Sequence, residues 1–274
     1  MTETGHAGAS AGVANANLGA ITSVGLGLLL LAFAATVDFP KAVHGYKGDE
    51  ATYYSLAHSL ARDFDFQFER RDLTRVWEEF PGPEGIFLKR GKAIHVRRSA
   101  SFPFVRWDKA DDAVRTRLYY GKPYIYPLVS APFVFLFGTN GFLVLHALML
   151  SLDLFVAYTF LAACARSRIA ALAYAIVFFA ASVVPVHVVW LTPELFNFSV
   201  VLYAFFLWSY KEVAGDVQPT RWSRFLRGRG SDYAAAALIG VLTFSKPTHA
   251  ILMFPLCAMA AGRRRWRHAS GMVL

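Results

Sequence analysis

The feature that most constrains this chain is a series of long hydrophobic blocks. Several blocks are long enough, or nearly so, to cross a hydrocarbon core about 30 Å thick at about 1.5 Å per helical residue. Of the 274 residues, 55% are hydrophobic, which is more than a soluble domain of this size needs. The sequence therefore predicts an all-α polytopic membrane protein, with spans over residues 18–37, 141–163, 169–189 and 195–210.

The net charge of +9 maps mainly to short loops between these blocks. Outside residues 38–122, every Lys and Arg except Lys246 lies within or next to residues 166–168, 211–229 or 263–267. This is the positive-inside pattern of membrane proteins, and not a nucleic-acid-binding face. We therefore expect these loops in the cytoplasm and residues 38–122 on the extracytoplasmic side, and we expect no nucleic-acid partner.

The remaining hydrophobic residues divide into shorter helices. Pro247 lacks a backbone donor, so Ser245-Lys246-Pro247 is expected to break residues 233–261 into two short helices, which gives about six membrane helices. Residues 124–137 hold several prolines and predict an interfacial helix. Three regions follow: a polar tail and first helix (1–37), a large extracytoplasmic loop with surface helices (38–140), and a membrane helical core that is incomplete at its C-terminus (141–274).

Within the loop, residues 49–64 place apolar side chains at helical spacing, which predicts an amphipathic helix along the membrane surface. Residues 80–85 predict a turn and residues 86–106 a small hairpin.

The predicted topology brings a few ionisable residues to the outer face. Each has a local explanation as well as a functional one: Asp49 as a helix N-cap, Glu50 and Glu194 as acids favoured in a first turn, and the lysines as side chains that reach headgroups. Lys246 is the most telling, since a charge between two hydrophobic segments is a functional candidate by default. The set is Asp49, Glu50, Lys122, Glu194 and Lys246.

Four motifs occur in a recognisable order. Gly48-Asp49-Glu50 with Tyr53-Tyr54 follows the first helix; Lys122-Pro123-Tyr124-Ile125-Tyr126 opens the surface helix; Thr192-Pro193-Glu194 opens a later helix; and Ser245-Lys246-Pro247 breaks the next pair. This order resembles the GT-C glycosyltransferases that use polyprenyl-phosphate sugars, notably the protein O-mannosyltransferases and the aminoarabinose transferases. Such enzymes are usually longer, so the chain resembles an N-terminal fragment or a truncated member.

The resemblance implies an inverting transfer of a sugar from a polyprenyl phosphate to an acceptor hydroxyl. Asp49 would be the base and Glu50 would orient the acceptor or tune Asp49. The departing phosphate needs fixed positive charge, for which Lys122 and Lys246 are the candidates. Glu194 would face the sugar or acceptor, and Tyr53, Tyr54 and Tyr126 would contact substrate.

The competing function is a non-catalytic polytopic transporter, lipid-binding protein or scaffold. A transporter should line a midplane path with ionisable groups, and Asp153 is the one clear midplane acid, for which His187 or a polar backbone break is a candidate partner. No cofactor is indicated, and no paired acidic motif or His spacing favours a metal ion. The implied location is a bacterial inner membrane with an extracytoplasmic active face; the sugar, acceptor and oligomeric state stay open.

Overall fold

The computed structural model describes residues 5–273, except residues 93, 99, 103–104, 110–111, 215–220 and 264. The fold is mostly helical. It divides into two compact units. Asp38–Gly141 forms the loop unit, and Met1–Val37 together with Phe142–Leu274 forms the helical unit.

The first helix, α1, spans Gly5–Thr36. It begins well before the predicted hydrophobic block, so most of the predicted polar tail is helical, in keeping with its many alanines. Gly19 and Gly27 lie against Tyr158 and Ser151, where no side chain on α1 would fit. Ser151 Oγ donates to the Ser23 carbonyl at 2.6 Å. Small residues therefore let α1 approach a neighbouring helix of the same unit closely.

The loop unit alternates short helices and strands. In chain order these are α2 (Phe39–Ala42), α3 (Asp49–Arg62), β1 (Gln67–Phe68), α4 (Arg70–Glu79), β2 (Leu88–Arg90), β3 (Ile94–Arg98), β4 (Val105–Lys109), α5 (Asp112–Thr116), β5 (Leu118–Tyr120) and α6 (Ile125–Phe137). The strands make the all-α expectation wrong for this unit.

Two antiparallel sheets organise those strands. One has the order β1-β5-β2, and β3 pairs with β4 in the other. The predicted hairpin is therefore present, although it is shifted along the chain: its ladder runs from Ile94 opposite Lys109 to Arg98 opposite Val105.

Helix α3 is a core helix of the loop unit. Every residue from Ala51 to Ala61 is buried, which corrects the expectation of a surface helix with one apolar stripe. Leu56 and Leu60 cluster with Ala131 of α6. The helix also ends earlier than predicted, because Phe64 has a φ of 58°. A positive φ is incompatible with a right-handed helix.

The helical unit continues after a 3₁₀ turn at Gly138–Asn140. Its elements are α7 (Gly141–Cys164), α8 (Arg168–Ala180), α9 (Val184–Val189), α10 (Pro193–Val213), α11 (Arg221–Arg227), α12 (Arg229–Ser245), a 3₁₀ helix (Pro247–Leu252), α13 (Met253–Gly262) and α14 (Trp266–Val273). The break predicted at Lys246-Pro247 is confirmed.

The block at residues 169–189 is not one helix. It is interrupted between α8 and α9, where Ser182 Oγ accepts from the Val184 N–H at 3.3 Å. Pro185 then occupies the first turn of α9, the position that tolerates its missing N–H. With 13 residues, α8 spans only about 20 Å, which is short of a hydrocarbon core.

Among the described residues, two apolar helical stretches are long enough to cross a membrane, Leu18–Thr36 and Ile125–Cys164. Buried core helices pass the same test of length and composition, as does a signal sequence near an N-terminus. The count of six membrane helices stays a prediction.

Candidate functional site

The acidic pair Asp49-Glu50 lies in the first turn of α3. Gly48 occupies the N-cap with a φ of 59°, so the N-cap role considered for Asp49 is wrong. Both carboxylates lie at the positive end of the helix dipole, where a negative charge is stabilising. Adjacent residues on a helix point in different directions, and the two acids have different surroundings.

Asp49 meets Lys122 across the loop unit. Its Oδ1 lies 2.6 Å from Lys122 Nζ, and the two side chains are 43% and 23% exposed. The Lys122 ammonium also lies 4.5 Å from the centroid of the Phe87 ring, a cation–π contact. Two residues proposed from separate motifs are therefore in direct contact, in a place that solvent can reach.

A chain of hydrogen bonds fixes the backbone beneath this pair. The buried Thr52 hydroxyl donates to the Gly48 carbonyl at 2.8 Å and accepts from the Phe87 N–H at 2.9 Å. The Phe87 carbonyl accepts from the Gly121 N–H at 2.7 Å. A Cβ on Gly121 would lie only 3.1 Å from that carbonyl oxygen. The positioning roles of Thr52 and Phe87 were not predicted from the sequence. A threonine four residues after the helix start can donate to the carbonyl of that first residue, so Thr52 could have been suspected.

Tyr54 faces the core of the loop unit, whereas Glu50 is half-buried and its charge acts on the buried Tyr46. Burial, followed by the charges of Glu50 and Glu79, raises the pKa of Tyr46. Tyr54 is fully buried and its hydroxyl donates to Glu79 Oε2. Tyr54 is therefore held by a contact that stabilises the fold, on a different face of α3 from Asp49.

Tyr53 and Tyr126 pack against one another. Their ring centroids lie 5.5 Å apart in an edge-to-face arrangement, and both rings are buried. This contact joins α3, which carries Asp49, to α6, which begins shortly after Lys122 in the chain. A direct contact of either tyrosine with substrate stays a prediction.

The other two predicted residues form a pair in the helical unit. Thr192 takes the N-cap of α10, Pro193 follows, and Glu194 lies in the first turn, as the sequence predicted. Glu194 Oε1 accepts from Lys246 Nζ at 3.1 Å. Since Lys246 caps the C-terminus of α12, each charge also interacts favourably with a helix dipole. A single cavity holding all four charged groups stays a prediction.

The opposite ends of α10 and α12 carry a second set of charges. Lys211 forms an ion pair with the buried Asp232, whose Oδ2 lies 2.9 Å from His268 Nε2. Nearby, Arg263 donates to Glu212 at 2.8 Å. The two helices therefore run antiparallel with an ion pair at each end. The sequence grouped Lys211 and Arg263 with the basic loops, but nothing in it singled out Asp232.

Asp153 is fully buried on α7 in the helical unit. Its Oδ2 accepts from Ser199 Oγ at 2.7 Å. The partner is therefore a hydroxyl on α10 and not His187, whose ring stacks on Trp190. Ser199 therefore satisfies one carboxylate oxygen of Asp153, while Oδ1 is buried without a hydrogen-bond partner among the described residues.

The Asp49–Lys122 arrangement combines a proton acceptor with a fixed cation. A carboxylate can take a hydroxyl proton, and an ammonium can stabilise a departing phosphate. In the part of the chain that the structure describes, no group of three His, Cys, Asp or Glu side chains could hold a metal ion. The Asp49–Lys122 geometry thus offers acid–base and electrostatic chemistry.

No protein-family model matches the chain, and neither the curated proteins nor the solved structures include a significant match to it.

Proposed function

We propose that this protein is a membrane-embedded inverting glycosyltransferase that moves a sugar from a polyprenyl phosphate to an acceptor hydroxyl at the extracytoplasmic face. The observation that carries the proposal is the 2.6 Å contact between Asp49 and Lys122. The family resemblance implies these residues for the two tasks that the transfer requires, and they come from separate segments of the loop unit.

The pair explains how the site passes from its resting state to its reactive state. Without donor, Lys122 neutralises Asp49. A lipid phosphate offers Lys122 more negative charge, so the ammonium shifts to the phosphate and Asp49 is released to accept a proton. The acceptor oxygen attacks the anomeric carbon from the face opposite the phosphate, the carbon–phosphate oxygen bond breaks with its electron pair on the phosphate, and the acceptor proton passes to Asp49.

The charge distribution of the helical unit supports the membrane topology. The Lys211–Asp232 and Glu212–Arg263 pairs lie at one end of the antiparallel α10 and α12, and Glu194–Lys246 at the other. The basic end is the one that the positive-inside rule assigns to the cytoplasm. This assignment puts Glu194 and Lys246 at the outer face.

The test is transfer from a polyprenyl-phosphate sugar by the Asp49→Asn variant. Removing a general base costs about 10²- to 10⁴-fold in rate, whereas loss of a half-exposed ion pair costs at most about 1 kcal/mol of stability. We therefore expect turnover to fall at least about 100-fold with a thermal midpoint near that of the parent protein.

The matched control is Lys47→Met, which removes the 3.9 Å pair with Glu84 in the same unit. It should leave turnover unchanged. Undiminished transfer by Asp49→Asn would remove Asp49 as the base, and absence of transfer by the parent with every polyprenyl donor would count against the proposed function.

A further inference from the structure

A polar cleft and an apolar groove meet on the C-terminal half of α3 in the loop unit. The cleft has a volume of about 440 Å³ and is lined by His58, Arg62, Arg75, Glu78 and Glu79. The transferase proposal uses none of these residues. Asp49 lies at the other end of the same helix, about 14 Å away for the nine residues to His58 at 1.5 Å each.

The groove has a volume of about 600 Å³ and lies between α3 and α6. Its lining is apolar and includes Phe64, Phe135 and Leu136, which are 86%, 52% and 70% exposed. Large apolar side chains grouped on a surface mark a site for another molecule. The volume falls in the usual range for pockets that hold small molecules.

Arg62 joins the two cavities. It lines the cleft, and its guanidinium carbon lies 5.4 Å from the centroid of the Phe135 ring in the groove. A ligand whose charged part lies beside Arg62 therefore has an apolar surface within reach. Such a ligand is an amphiphile and not a soluble ion.

The charges of the cleft indicate which amphiphile. Arg75 is committed to Asp63 at 2.7 Å. Glu79 accepts from Tyr54 and lies 3.3 Å from His58 Nε2. Of the charged residues that line the cleft, this leaves Arg62 and Glu78.

Arg62 and Glu78 form no ion pair in the part of the chain that the structure describes. One cation and one anion in the same cleft complement a head with one phosphate and one ammonium. Guanidinium binds phosphate with two parallel N–H donors, and a carboxylate accepts from a primary ammonium.

We propose that the cleft and groove bind a membrane phospholipid with a phosphoethanolamine head. The phosphate contacts Arg62, the primary ammonium contacts Glu78, and an acyl chain lies in the groove beside Phe135. A quaternary ammonium has no N–H to donate to Glu78, and a glycerol head has no cation. This binding does not depend on the transferase reaction.

The experiment uses the full chain in detergent, stripped of lipid, and titrates it calorimetrically with dihexanoyl lipids that differ only in their heads. We expect the phosphoethanolamine lipid to bind about tenfold more tightly than the phosphocholine or phosphoglycerol lipid, as expected for one charge-assisted hydrogen bond. Tail-free glycerophosphoethanolamine should bind more weakly than the dihexanoyl lipid, because it leaves the groove empty.

Two variants separate the contacts. Glu78→Gln should abolish the preference for phosphoethanolamine, and Arg62→Gln should weaken all three lipids. The matched controls are Glu84→Gln and Arg70→Gln, which alter exposed residues of the loop unit outside the cleft, and they should bind as the parent does. Equal binding of the three heads by the parent, or a preference that survives in Glu78→Gln, would overturn the proposal.

Discussion

The loop unit and the helical unit each hold a carboxylate–lysine pair, but the pairs are built differently. Asp49 and Lys122 are brought together by a tertiary network through Thr52, Phe87 and Gly121. Glu194 and Lys246 meet because they occupy the ends of two antiparallel helices that pack together. The hydrogen-bond network positions Asp49 and Lys122, whereas helix packing alone accounts for the Glu194–Lys246 contact. We call the first a positioned pair and the second a packing pair.

The helical unit adds a contrast of its own, between the two ends of α10 and α12. Asp232 and Lys211 are only 9% and 18% exposed, whereas Glu194 and Lys246 are 38% and 49% exposed. Burial decides the energetic consequence, because removing one partner of a buried pair leaves an uncompensated charge. The exposed pair is screened by solvent.

Removing the buried Lys211–Asp232 ion pair should have the largest effect on stability. Asp232→Asn is expected to lower the free energy of unfolding by about 3 kcal/mol, because Lys211 and His268 lose their shared carboxylate. Glu194→Gln should cost at most about 1 kcal/mol. Chemical denaturation of the two variants in the same detergent measures both, and equal losses would show that the two ends do not differ.

Removing Lys122 or Lys246 tests whether each lysine binds the donor phosphate. Lys122→Met should raise the KM for the lipid donor about 30-fold, as expected for a lost charge-assisted phosphate contact, with little change in the acceptor KM. If Lys246 also binds the phosphate, Lys246→Met raises the donor KM more than the acceptor KM. An unchanged donor KM in steady-state kinetics would show that Lys246 only pairs with Glu194 and does not bind the phosphate.

The network beneath Asp49 can be tested at Thr52. Thr52→Val removes the donor to Gly48 and the acceptor for the Phe87 N–H at nearly constant volume, which should cost about 1–2 kcal/mol of stability. Turnover should fall about tenfold, since Lys122 is positioned through Phe87. Thr52→Ser should restore turnover, and a stability loss without a kinetic loss would show that Thr52 does not position the pair.

The smallest effect should appear at acidic pH. Burial opposes ionisation of Glu79, but hydrogen bonds with His58 and Tyr54 outweigh it, so its pKa is lowered below the usual 4.5. A lowered folded-state pKa stabilises the protein above the unfolded pKa, and that contribution is lost as pH falls through the folded value. Stability should therefore decline below about pH 4.5 in the parent protein and less steeply in Glu79→Gln. Glu84→Gln, at an exposed position, should keep the slope of the parent.

Local signals in the sequence identified much of the helical unit. Thr192-Pro193-Glu194 marks the start of α10, and the proline after Lys246 marks the end of α12. The interruption before Pro185 was missed because a hydrophobic run looks continuous across it, although the proline was visible. The start signal of α10 and the end signal of α12 could not show that Lys211 and Asp232 meet, because that contact depends on how the two helices pack.

The loop unit was harder to predict. A stripe of apolar residues suggested that α3 has one buried face, yet every residue from Ala51 to Ala61 is buried because α6 and the short strands enclose the helix. Serine, threonine and histidine on its other face therefore looked like solvent-facing residues. Periodicity reports which side chains are apolar, and it does not report how many neighbours a helix has.

The sequence by itself determined most of the helical blocks, the break at Lys246-Pro247 and the charged residues worth testing, because these depend on local chemistry. Only the tertiary structure decided that Asp49 contacts Lys122, that Tyr54 faces the core and bonds to Glu79, and that Arg62 joins a polar cleft to an apolar groove. Such contacts join residues far apart in the chain, and the packing of helices and strands that creates them leaves no periodic trace in the sequence.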